Sequence, residues 1–451
     1  MTKDMTVGKP LGLILRFCGP MVLGNILQQL YSMVDTVIVG RYLGTNALAG
    51  VGATGAISFL VIGFATGICT GLSIPVAQAF GAGDYRLMRK YIANSNYLGA
   101  VISVLLTILT MFATGTILHW MKTPDDIYQY SYDYIIVIFG GILTSVLYNS
   151  LAAILRAVGD SKSPILFLAI SSVLNIVLDL VFLVGLHSGV AGAGYATVIS
   201  QGISGMLCLF YLYKKFEIMR FQQGECRLEL KRCSRLLSIG LPMALQFSIT
   251  ASGAMVMQAA INLFGSVAVA AFTAASKVQN LVTQGMMSMG QTMASYGGQN
   301  YGKGDYHRLE KGVRSALLIS VIYSLLAAAA VGLFLRPLLS LFFSGDIDMA
   351  SLMPWAKTYI YMCAVFYIPL STIFIFRNIM QGCGYGFLPM MGGVSELIAR
   401  LIVSMAAMKL LSYPLACFAD PAAWIAAAVF TGVSYLFVIK KIGRELKEKT
   451  T

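Results

Sequence analysis

The chain has 451 residues, 57% of them apolar and 11% charged, and its mean hydropathy is +0.76. Soluble domains carry about a quarter charged residues, so these values exclude a soluble fold. A bilayer core about 30 Å thick takes roughly 20 apolar residues per helix, which gives this length room for on the order of a dozen spans and no separate soluble domain.

Apolar runs between polar breaks predict twelve helices, at 13–40, 51–80, 91–119, 130–157, 164–186, 190–213, 235–264, 267–300, 313–343, 355–382, 387–411 and 421–440. The first run is too long for a cleaved leader and reads as an uncleaved span; it holds Pro20 and an acid, Asp35. The fifth carries Asn175 and Asp179, four residues apart and therefore on one helix face. The sixth offers Thr197. The eighth holds Lys277 and a methionine-rich run from Met286 to Met293, the tenth Arg377, and the eleventh Glu396 and Arg400 at i and i+4. The eight cysteines show neither CxxC spacing nor neighbouring histidines, so they indicate no metal centre and no disulfide framework.

Charge sets the orientation. Of the 32 Lys and Arg, 24 fall in loops on one side if both termini share it, five fall opposite, and Lys277, Arg377 and Arg400 lie within spans. Among the five are Arg336 and Lys357, with Lys122. Basic loops stay cytoplasmic, so both termini are expected inside a cell membrane. The net charge of +13 is then topological, and no nucleic-acid partner is expected. The halves repeat: Gly81-Ala82-Gly83-Asp84-Tyr85 matches Gly302-Lys303-Gly304-Asp305-Tyr306, and Gly159 to Pro164 matches Gly384 to Pro389. With six spans per half the repeat is parallel, as in transporters built of two lobes. The expected division is an N-terminal lobe 1–213, a solvated cytoplasmic linker 214–234, and a C-terminal lobe 235–451.

The strings Tyr31-Ser32-Met33-Val34-Asp35-Thr36, the twinned Gly-x-Gly-Asp loops and Leu155-Arg156-Ala157-Val158-Gly159-Asp160 resemble the multidrug and toxic compound extrusion (MATE) family over essentially the whole chain. The resemblance implies an all-α membrane protein of two pseudo-symmetric six-helix lobes. It also implies a cation-coupled antiporter that exports organic cations and other amphipathic drugs by alternating access.

Ionisable groups within spans are costly and mark function. At 1.5 Å per residue, Asp35 lies roughly 30 Å along span one and Asp179 roughly 22 Å into span five, both in the outer half, where Thr197 reaches a similar level. Asp35, Asn175, Asp179 and Thr197 thus form a candidate coupling-cation cluster, and the same four match the polar cluster that binds the coupling ion in similar MATE proteins. Two carboxylates in a low-dielectric cavity disfavour joint ionisation and take up a proton; several hard oxygens equally hold sodium. Both ions stay open. In the second half Met257 and Ser404 replace the two acids, so no second cation site is expected there. Glu396 and Arg400 suggest an internal ion pair, with Lys277 and Arg377 as further partners or as shapers of the cavity. Pro20 removes a backbone hydrogen bond within span one, and in the family bending of this helix is proposed to follow protonation of the acids. Flexible Met side chains suit promiscuous sites, yet packing explains them equally. Beyond the coupling ion no cofactor is expected, no residue reads as catalytic, and a monomer in contact with membrane lipid is the default. A lipid-linked oligosaccharide flippase of the same superfamily is the competing reading, kept open by the intramembrane cations.

Overall fold

The computed structural model describes residues 4–121, 123–340 and 349–448; Lys3, Lys122 and Lys449, used above for orientation, lie outside them, as does the end of the 313–343 span. The described chain is helical, with no strand. In order it forms α1 (Pro10–Leu43), α2 (Thr45–Ala53), α3 (Gly55–Gly81), α4 (Tyr85–Trp120), α5 (Asp125–Gly140), α6 (Ile142–Ala157), α7 (Lys162–Asp179), a π-helical stretch Leu180–Gly185 and α8 (Gly189–Lys215). There follow α9 (Leu230–Ile261), α10 (Ser266–Lys303), α11 (Tyr306–Ser340), α12 (Met349–Val365), α13 (Tyr367–Gly382), α14 (Phe387–Leu410), α15 (Tyr413–Cys417) and α16 (Ala419–Glu448).

Nine of the described helical segments are long and apolar enough to cross a membrane on their own. Two more spans are bent pairs, α5 with α6 at 48° and α12 with α13 at 52°. α10, with 38 residues, has the length of the remaining expected span, but its Gln-, Ser- and Gly-rich interior is less apolar than the others. Its methionines turn inward: Met286, Met289 and Met293 are buried, so packing accounts for most of that run. The first bend sits at Gly141, where a Cβ would stand 2.2 Å from Val198 Cγ2. Only glycine permits that approach of α8.

The repeated strings fold alike for a local reason. Gly83 and Gly304 take positive φ of 74° and 78°, and the Asp that follows each caps the next helix. Asp84 Oδ1 accepts from Leu87 N at 2.9 Å, and Asp305 Oδ1 from Arg308 N at 3.0 Å. Gly159 and Gly384 likewise take positive φ, of 89° and 91°, although Tyr385 rather than an Asp follows the second.

The chain clusters into two units, Met1–Asp4 with Gly19–Ser248, and Met5–Cys18 with Ile249–Thr451. The division therefore departs from the sequence halves at α1 and α9, each of which changes unit within one helix, α1 beside Pro20. In the first unit Ile68, Leu72, Phe139 and Ile142 are buried between α3, α5 and α6. In the second, Ala275, Val278, Met286 and Tyr367 are buried between α10 and α13. Outward faces are apolar as well, as at Leu105, Leu109 and Phe112 on α4, which suits contact with lipid rather than water.

The segment after α8 is mostly exposed, as expected of a linker, but it is anchored to α4. Arg89 of α4, 8% exposed, forks onto both Glu225 oxygens at 2.6 and 2.9 Å and donates to Ile218 O at 3.0 Å. Lys90 pairs with Glu229 at 2.9 Å. Buried Asn94 accepts from Glu229 N and donates to Arg227 O. The Arg89 guanidinium holds the Glu225 carboxyl below its usual value, and Lys90 does the same for Glu229.

Candidate coupling site

α1 and α7 bring the first-half acids together. Asp35 is 8% exposed, Asn175 1% and Asp179 0%, and the two carboxyl groups stand side by side. Asp35 Oδ1, both Asp179 oxygens and both polar atoms of Asn175 are buried without a hydrogen bond of good geometry. Such groups cost free energy in a protein interior unless something satisfies them, and two adjacent carboxylates add repulsion. The donor set, carboxylate and carboxamide oxygens, fits a proton or a small hard cation. Asp179 is the last residue of α7, where the helix passes into the six-residue π-helical stretch. Such bulges recur at functional sites.

Thr197 lies on α8, half-buried, with no hydrogen bond to the other three. Two groups that the sequence reading left out complete the surroundings: the phenols of Tyr31, on α1, and Tyr134, on α5, lie within electrostatic reach of both acids. Tyr31 precedes Asp35 by four residues and so shares its face, a signal legible in the sequence; Tyr134 came from a helix with no other marker. Ile38, Val39, Leu183 and Val190 form a buried apolar cluster, with Tyr134 and Ile176 packed on it. Pro20 lies inside α1, beside the point where that helix changes unit.

The second unit holds a different arrangement. Glu396 gives one oxygen to Arg377 Nη2 at 3.2 Å and the other to Arg400 Nη2 at 3.1 Å. Arg400 also reaches Asp420 Oδ1, with Nη2 at 2.9 Å and Nε at 3.0 Å, and the Tyr359 hydroxyl donates to Asp420 Oδ2 at 2.9 Å. The Glu396–Arg400 pair expected from spacing is thus part of a neutral four-charge chain across α13, α14 and α16. Both Glu396 oxygens are bound by the arginines, and Lys277 sits on an exposed face of α10. Asp420 was missed because hydropathy started the last span at 421. Its place in the first turn of α16 was the available signal.

The MatE family model matches residues 20–181 and 242–416, once in each half. A probable multidrug resistance protein of Bacillus subtilis is 28% identical over 441 residues, covering 96% of this chain and 94% of that protein. An FAD transporter of Shewanella oneidensis is 22% identical, covering 90% and 88%. A crystal structure of a MATE protein in complex with MaL6 superposes with a TM-score of 0.90 at 23% identity, over 98% of this chain and all of that one. With a family match in each half and this likeness of the all-helical fold, the chain belongs to the MatE (MATE) family of membrane transporters.

Proposed function

We propose that this protein is a secondary active multidrug efflux transporter of the cell membrane. It exchanges protons or sodium ions for amphipathic or cationic organic compounds by alternating access. The observation that carries the reading is the pair Asp35 and Asp179, buried side by side with Asn175 and with five polar atoms unpartnered. Asp35, Asn175, Asp179 and Thr197 hold the coupling ion, and Pro20 lets α1 bend as the ion comes and goes. Residues 1–213 and 235–451 act as the lobes, joined by 214–234, with both termini cytoplasmic and the monomer as the working unit.

The name of the Bacillus relative supports drugs as substrates, and that of the Shewanella relative shows that relatives at this distance carry other cargo. The neutral chain of Arg377, Glu396, Arg400 and Asp420 supports antiport over the flippase, because those arginines are paired rather than presented to a phosphate. Ethidium efflux from energised cells, with protein amounts matched, tests the proposal. Wild type should extrude the dye and Asp179→Asn should not. Equal extrusion by both would remove the acid from coupling, and extrusion by neither would revive the flippase.

A further inference from the structure

The C-terminal end of α11 and the N-terminal half of α12 enclose a hollow of about 410 Å³ whose lining includes Arg336, Lys357, Tyr361, Leu333 and Met353. α11 is broken beside it: Phe334 leaves helical geometry at φ −112°, ψ 17°, three residues before Pro337. A proline removes one helical hydrogen bond and clashes with the preceding turn. The Tyr361 hydroxyl lies across from the Gly332 carbonyl, donating to it over a long 3.4 Å.

The two cations are what make it a site. They are exposed, and neither has an ion-pair partner among the described residues, whereas Arg377 and Arg400 are both paired. They are also two of the five Lys and Arg assigned to the side opposite the termini, so their meeting in one hollow is not part of a general basic surface. An exposed apolar stripe, Ile322, Leu326, Ala329 and Leu333, runs along α11 to the hollow. The stripe continues back to the exposed Leu318, so that it rises about 22 Å along the helix at 1.5 Å per residue, longer than the roughly 15 Å depth of one leaflet. Two cations without an ion-pair partner among the described residues, at the head of an exposed apolar track, suit an amphiphile with an anionic head.

We propose that this hollow binds the phosphate head of an anionic phospholipid, with an acyl chain lying along the α11 stripe. A basic residue near a membrane surface contributes about 1 kcal/mol toward an anionic lipid. Removing both should therefore weaken binding about 30-fold, and one alone about fivefold.

The test uses the full-length protein in detergent, with lipid binding read by native mass spectrometry and by the shift in thermal midpoint on adding phosphatidylglycerol or phosphatidylcholine. Wild type should bind phosphatidylglycerol in preference and be stabilised by it. Arg336→Gln/Lys357→Gln should lose that preference while keeping its midpoint in phosphatidylcholine, and the single Lys357→Gln should fall between. Arg336→Lys/Lys357→Arg should retain the preference. A double Gln variant that binds phosphatidylglycerol as wild type does would overturn the proposal. So would glycerol phosphate alone reproducing the stabilisation, which would make the hollow a soluble-anion site.

Discussion

Replacing Arg400 with methionine tests the second-unit charge chain through a magnitude set by its geometry. Arg400 is 4% exposed and serves two carboxylates, Glu396 at 3.1 Å and Asp420 at 2.9 Å. Arg400→Met leaves Glu396 its bond to Arg377 at 3.2 Å, but Asp420 keeps only the Tyr359 hydroxyl. A neutral interhelical hydrogen bond in a membrane protein is worth about 0.6 kcal/mol, whereas stripping one partner from a buried ion pair costs about 3–5 kcal/mol. Since one of the two acids stays paired, the lower end, about 3 kcal/mol, is expected. For a unit of this size that is a fall of about 6–12 °C in thermal midpoint. Thermal denaturation in detergent, followed by loss of the monodisperse peak, measures it. Arg400→Met/Asp420→Asn should recover most of the loss, because no carboxylate is then stranded. A single variant as stable as wild type, or a double variant no better than the single, would refute the argument that these charges depend on one another.

Three further outcomes follow from particular contacts. A Cβ on Gly382 would stand 2.4 Å from the Ala294 carbonyl oxygen, so Gly382→Ala should cost about 1–3 kcal/mol by overpacking, read as a lower thermal midpoint and lower yield. The Glu225 and Glu229 carboxyls lie below their ordinary value of 4.5 in the folded protein. Their contribution is therefore complete above that value and is lost as pH falls through the depressed folded values. Hydrogen exchange over residues 222–229 should be flat between pH 8 and pH 6, after correction for intrinsic rates, and should rise only on strong acidification. Arg89→Met should free the same segment at neutral pH, so that limited proteolysis cuts between α8 and α9 faster than in wild type.

The twelve spans and the twofold repeat were legible because both are one-dimensional signals: long apolar runs, and Gly-Asp strings whose glycines need positive φ and whose aspartates cap helices. The bends at Gly141 and Phe366 were not, since hydropathy is continuous through them and the bend depends on what packs alongside. In the first unit, Asp35 and the Asn175/Asp179 pair stood out as polar residues in apolar strings, and helix depth alone put them at one level. Tyr134 carried no such mark, and the π-helical stretch after Asp179 depends on backbone geometry that residue types do not encode. In the second unit, i, i+4 spacing found Glu396 and Arg400 but gave no means of choosing between Lys277 and Arg377. Asp420 lay one residue beyond the predicted span edge. The segment from Lys214 to Arg235 reads as solvated because it is charged, and most of it is exposed; its anchor was not legible, because Glu225 and Glu229 pair with Arg89 and Lys90, more than a hundred residues earlier in the chain.

The most direct test of the coupling proposal is drug transport in proteoliposomes, with a proton or a sodium gradient imposed separately on wild type and on Asp35→Asn of matched thermal stability. The account predicts that one of the two gradients drives wild type to move drug against its own concentration gradient, and that Asp35→Asn fails under both. An Asp35→Asn protein that responds to the same gradient at the wild-type rate would contradict it.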